Sequence, residues 1–294
     1  MKRQSSLSAA VAAAMLAGVA SLPPRVDAQT PPPAAPAPAA PAGASPLRLT
    51  GDTCQALPRH AALKAALVAA TQAETSGLNN HMWATIVNRD GVVCAVAFSG
   101  PDRGAQWPGS RVISAQKAYT ANAFSLDKTS SANGSGQAKG LALSTANLYS
   151  AVQPGGSLYG LQHSNPVDPS VAYGGRSAGY VTAHDHMVGR KAGGVNVFGG
   201  GLALYNSSGV IVGAVGVSGD SSCADHNIAW RTRNQLNLDY VPAGVSGQAL
   251  RPDNIVYDIT PQPGQMPGVS ASGWGHPTCS AAATAIAGAL PTTK

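Results

Sequence analysis

The residues best placed to do chemistry lie between Gly209 and Asp225. There GVIVGAVGVSGDSSCAD runs from a β-branched apolar stretch, through a small-residue corner, into a helix start. Such a corner turns several backbone N–H groups toward one point at a helix N-terminus, and that point attracts anions. Gly216, Ser218 and Gly219 are therefore candidate binding residues for a small anionic ligand such as a carboxylate. The plain alternative is that the glycines only permit a tight turn. The pair His184-x-His186 is spaced for a metal site on a strand or loop, and imidazole suits iron. His163, in YGLQHSNP, is the best single ligand candidate because the Asn-Pro step fixes the loop that follows it. His226 directly follows Asp225, where a helix N-terminus favours a neutral imidazole able to ligate a metal or to cap. His60, His81 and His276 have no supporting residues near them in sequence.

Enzyme signatures fail on inspection. In Gly216-Val217-Ser218-Gly219-Asp220 an aspartate stands where a nucleophile elbow needs its second glycine. Ser114-Ala115-Gln116-Lys117 satisfies S-x-x-K, but its partner motifs S-D-N and K-T-G are missing. Paired carboxylates, a Walker loop and a nucleotide fingerprint are also missing. The chain reads as a binding protein more than as an enzyme.

The elements that must carry these residues follow from periodicity. A helix over Leu57–Glu74 places Leu63, Ala66, Leu67, Ala70 and Ala73 on one stripe. Thr85–Val87 and Val92–Phe98 flank Asn88-Arg89-Asp90-Gly91, a hairpin turn signal. A helix over Arg111–Ser125 follows, then a second hairpin, Leu202–Tyr205 and Val210–Val217, around Asn206–Gly209. A last helix over Cys223–Leu236 takes Asp220, Ser221 or Ser222 as N-cap. Helices and hairpins in this order predict an α+β domain with an antiparallel sheet flanked by helices.

Several of these pieces resemble the GlcG/HbpS family, also called the haem-degrading or PduO C-terminal-like domain. GAVGVSGD followed by Asp225 and Ile228-Ala229 looks like its closing signature, and TIVNRDGVVCAVAFSGPDRG like its first hairpin. Lys117, Ala118, Thr120 and Ala121 match its A-x-x-K-A-x-T-A helix, with Ser114 in place of the first alanine. Gly200-Gly201-Leu202-Ala203-Leu204 resembles its G-G-x-P-I strand entry, with Ala203 in place of proline. The resemblance spans roughly Leu57–Leu238. It implies a profilin-like fold with a five-stranded sheet, a non-covalent b-type haem or released iron as ligand, and assembly into homo-oligomers. With S-x-x-K set aside, Lys117 reads as a surface or propionate-facing cation, and His163 as the best axial-ligand candidate, the alternative being a histidine that only hydrogen-bonds in its loop.

Between about residues 125 and 194 the chain is longer than the resemblance leads one to expect. This insertion holds Tyr149, Tyr159, His163, Tyr173, Arg176, Tyr180, His184 and His186. Aromatics for stacking, imidazoles for iron and Arg176 for propionates would make a porphyrin rim, whereas tyrosines packed over the core would make only a surface loop. A C-terminal extension begins at about residue 240.

The chain ends bound the rest. Residues 1–28 look like a secretory signal, with Lys2 and Arg3 before an apolar stretch, and Val26-Asp27-Ala28 as cleavage site. The apolar stretch is too short to span a membrane comfortably. Residues 29–48 form a Pro/Ala-rich linker, and 49–294 a single domain. Removing the signal leaves 16 basic against 12 acidic residues, and only 11% of the whole chain is charged, so the basic stripe of a nucleic-acid binder is missing. Export to the periplasm or outside the cell would let Cys54, Cys94, Cys223 and Cys279 oxidise. Three pairings are open. The expected one joins Cys54 with Cys279 and Cys94 with Cys223, closing two long loops. No C-x-x-C-H haem attachment signal occurs. The expected function is exported haem or iron binding or sequestration, with redox sensing as an extension. The alternatives are a small-molecule enzyme or carboxylate-binding protein on the same scaffold, or a structural or signalling partner domain.

Overall fold

The computed structural model describes residues 54–126, 128, 140–262 and 265–294. Residues 1–48, which sequence analysis reads as a secretory signal and a linker, lie outside the described residues. The first helix, α1 (His60–Gln72), buries Leu63, Ala66, Leu67 and Ala70, the spacing of one helical face. Strands β1 (Trp83–Asn88) and β2 (Val93–Phe98) pair antiparallel with Trp83 opposite Phe98. Asn88 Oδ1 closes their turn by accepting the N–H groups of Asp90 and Val92.

Helix α2 (Ser110–Ala123) follows, and then β4 (Gly201–Tyr205), β5 (Ile211–Ser218) and α5 (Ser222–Gln235). Between α2 and β4 lie the two-residue β3 (Leu141–Ala142) and the short helices α3 (Leu148–Ala151) and α4 (Pro169–Ala172). The main sheet is antiparallel, in the order β2-β1-β5-β4, so the fold is α+β as expected. Among the described residues it has four strands, where the resemblance implied five. Beside β2 runs irregular chain from the 125–194 region: Val93 N–H donates to Arg190 O and Gly189 N–H to Val93 O. These bonds satisfy part of an edge that would otherwise stay open.

Alternation along the strands divides two cores. Ala84, Ile86, Leu202, Leu204, Val215 and Val217 face α1 and α5, while Trp83, Val87, Val96, Phe98 and Ala214 face α2 and the insertion. The C-terminal extension contributes β6 (Ala243–Gly244), which pairs with β3, the hairpin β7 (Ile259–Gln262) and β8 (Gln265–Ser270), and α6 (Ala281–Gly288). Buried polar contacts pin it to α5. Arg233 and Asp253 pair with both side chains buried, and Trp230 Nε1 donates to Pro291 O.

The disulfides correct the expected pairing. Cys54 bonds to Cys94 and Cys223 to Cys279, with Cα separations of 5.5 and 6.0 Å. Cys94 lies on the edge strand β2, beside the residues that lead into α1, whereas Cys223 opens α5 at the far end of β5. Loop entropy grows only logarithmically with length, so it gave no real preference for the longer loops, and sheet order decided the pairing. Each bridge still constrains the unfolded chain by about 4 kcal/mol in the chain-entropy model.

Candidate functional site

The glycine corner is built by three elements meeting without side chains between them. A Cβ on Gly216 would lie 2.0 Å from Ser114 O, so glycine is what allows α2 to press directly on β5. That approach drops Lys117, from the inner face of α2, under the corner. Its Nζ donates to Val217 O at 3.1 Å and to Asp225 Oδ2 at 2.6 Å, with the Phe198 ring 4.2 Å away. Asp225 Oδ1 accepts the N–H groups of Gly219 (3.1 Å) and Asp220 (2.9 Å). The N–H groups that sequence reading offered to a ligand are taken up from within, and the anion they face is Asp225. Ser221 caps α5 by accepting from Ala224 N, and Ser218 is buried at the end of β5, opposite Trp83.

Lys117 is thus no surface cation, which corrects the role expected for it: neither it nor Asp225 is exposed at all. Burial pushes the Asp225 carboxyl up to about 6 and the lysine below its ordinary value, while their mutual attraction works against both shifts. Ser114 is likewise spent on structure. Its hydroxyl donates to Arg111 O and bonds Thr85 Oγ1 at 2.7 Å, facing the sheet.

The histidines separate by access. His226 is wholly buried on α5, where its Nε2 meets Asn254 Oδ1 and Ile255 N, each at 3.1 Å. Burial lowers it to about 4, so it is a neutral anchor for the extension, closed to any ligand. His276, which sequence offered no reason to single out, is brought 54 residues along the chain to Ser222. Its Nδ1 lies 2.7 Å from Pro277 O and its Nε2 2.6 Å from Ser222 Oγ, while Gly199 N–H donates to that same hydroxyl. A proton on Nδ1 for the carbonyl and a lone pair on Nε2 for the serine satisfy every member. Burial holds this imidazole neutral too, down to about 4. The Tyr149 ring packs against it at 5.2 Å.

The insertion presents the other histidines at the surface. Asp185 points inward, where it pairs with Arg111 through Nε at 2.7 Å and through Nη2, and the Arg111 guanidinium stacks on Tyr180, 3.6 Å from its ring centre. This buried clamp fixes the loop and leaves His184 exposed and His186 half-buried, its Nε2 2.9 Å from Arg190 Nη1. Exposed His163 ends a short 3₁₀ turn, Leu161–His163, and Arg176 is exposed. Lys117, Gly216, Ser218 and Gly219 therefore share one buried junction, His226 is buried against the C-terminal segment, and His163, His184, His186 and Arg176 lie apart from both, exposed or half-buried.

A cavity of about 1000 Å³ opens between α3 with its following loop and the β7–β8 hairpin, lined in part by Tyr149, Gln153, Ser157, Ser270 and Trp274. Among the described residues its lining carries no histidine and no cation, the groups that iron and paired propionates would call for. Among the described residues, no helix is long and apolar enough to cross a membrane.

Two solved structures are similar to the chain. One is a PduOC:heme complex, 24% identical, with a TM-score of 0.39, covering 60% of this chain and 91% of that one. The other is Klebsiella pneumoniae protein ORFY of the DUF336 family, 24% identical, with a TM-score of 0.36, covering 60% and 88%. A search of curated proteins gives no match. The chain matches the family model for the haem degrading protein HbpS-like over residues 57–233, and it belongs to that HbpS-like family.

Proposed function

We propose that this chain is an exported haem-binding protein that takes up non-covalent b-type haem, or iron, at the surface of its insertion. The observation that carries the reading is membership of the HbpS-like family, which covers every element from α1 into α5. Export is supported by the signal-like residues 1–28 and by two disulfides, which suit an oxidising compartment.

The donor set fits the group. An iron ligand needs an accessible imidazole lone pair, and His226 and His276 are closed inside the fold while His163 and His184 are exposed and His186 partly so. Arg176 and Arg190 supply exposed cations on the same insertion for propionates. Bound haem would contribute an iron centre; the chain's part is to hold imidazoles on a loop that the Arg111–Asp185 pair keeps rigid. The occupied corner counts against the carboxylate-binding alternative at that place, since its N–H groups already serve Asp225.

Titration of the mature chain with hemin tests the reading. A saturable Soret band is expected, and His163→Ala, His184→Ala and His186→Ala are compared with His81→Ala, an exposed histidine outside the insertion. Featureless, non-saturating spectra would sink haem binding, and equal binding by all four variants would move the site off the insertion.

A further inference from the structure

We propose that reduction of the Cys223–Cys279 disulfide opens a Cys₂His site for a thiophilic divalent cation of the zinc class, formed by Cys223, Cys279 and His276. Their ligand atoms already lie within 4.8 Å of one another. Zinc binds sulfur at about 2.3 Å and imidazole at about 2.0–2.1 Å, so three donors on one ion sit less than about 4 Å apart. Once the sulfur–sulfur bond is broken, side-chain adjustment alone brings these three to that spacing.

The surroundings prepare each ligand. Cys223 is the second residue of α5, and its N–H donates to Cys279 Sγ at 3.3 Å, so the positive end of a fourteen-residue helix faces the Cys279 sulfur and favours its thiolate. His276 is fixed in place by Ser222 Oγ at its Nε2 and by Pro277 O at its Nδ1. Its ligating nitrogen exchanges one of those two partners for the metal. Three protein ligands leave a fourth position for water, the arrangement of an open zinc site. His276 and Cys279 both lie beyond residue 233, outside the part of the chain shared with the family, so the site would be this chain's own.

Access selects this disulfide over the other. Cys279 is exposed, whereas Cys54 and Cys94 are both buried. A dithiol reductant attacks the Cys279 sulfur with one thiolate; the protein disulfide breaks and Cys223 leaves as a thiolate. The second thiol of the reductant then displaces Cys279, so the reductant ends as a disulfide and the protein has gained two electrons and two protons. Zinc takes both sulfurs as thiolates and releases those two protons to water.

The test uses the full chain. After mild phosphine reduction, alkylation and peptide mapping should find two of the four cysteines reactive, Cys223 and Cys279. Equilibrium dialysis should then give one Zn²⁺ per reduced chain and none per oxidised chain, and Co²⁺ in its place should show a thiolate charge-transfer band. His276→Gln should weaken binding at least about tenfold, and Cys279→Ser should abolish it, while His81→Gln changes nothing. The proposal is overturned if the reduced chain keeps its circular dichroism yet takes up no zinc, or if either site variant binds as tightly as the parent. Loss of the native spectrum on reduction overturns it as well, because the sulfurs would no longer be held beside His276.

Discussion

Lys117 and Asp225 meet at 2.6 Å with neither side chain exposed, and the pair fills the anion-binding corner from within. The two oxygens of Asp225 divide their work: one takes the ammonium, the other takes two backbone N–H groups of the turn. α2, β5 and the start of α5 are thereby locked together through a single carboxylate. The most recognisable part of the sequence is a fastening, and the surfaces open to a ligand lie elsewhere.

Removing either partner leaves the other as a buried, unpaired charge. Lys117→Met or Asp225→Asn should each lower the unfolding free energy by about 3–5 kcal/mol, and the double variant should recover part of that loss because no lone charge remains. Urea denaturation of the four proteins measures the coupling. Single variants within about 1 kcal/mol of the parent would show that the pair holds nothing together.

Gly219 takes a backbone that side chains rarely adopt, and a Cβ there would fall 2.5 Å from His81 O. Gly219→Val should therefore act on folding, lowering stability by more than about 2 kcal/mol. Hemin affinity of whatever fraction folds should stay unchanged, because the turn's N–H groups face Asp225. Thermal melts beside hemin titrations separate the two effects; a fully stable variant that has lost hemin would return the site to the corner.

Much of the scaffold was legible because it rests on local signals. The stripe of Leu63, Ala66, Leu67 and Ala70, the Asn88 turn and the serine cap of α5 each need only neighbouring residues. The occupant of the corner was not legible, since Lys117 and Asp225 are 108 residues apart and only tertiary packing joins them. The same limit hid His276. Nothing near it in sequence announces Ser222, and a histidine gains significance only from what folding brings to its two nitrogens. The cysteine pairing failed for a related reason, because it depended on which strand lies at the sheet edge.

His226 and His276 also set how the protein responds to acid. Both are held neutral by burial, each lowered from 6.5 to about 4. Between those values the unfolded chain binds protons that the native state refuses, so stability is full above about pH 6.5 and falls as the pH drops toward 4. At about 1.4 kcal/mol per pH unit, each histidine would cost up to about 3 kcal/mol. Asp225 opposes them: raised from 3.8 to about 6, it binds its proton first in the folded state and offsets roughly one histidine over that range. A net acid loss therefore remains. Urea midpoints measured from pH 7.5 down to about 4.5 should decline, and His276→Gln should make the decline shallower. A flat profile in the parent, or an unchanged slope in that variant, would mean that the buried imidazoles do not govern the acid limit.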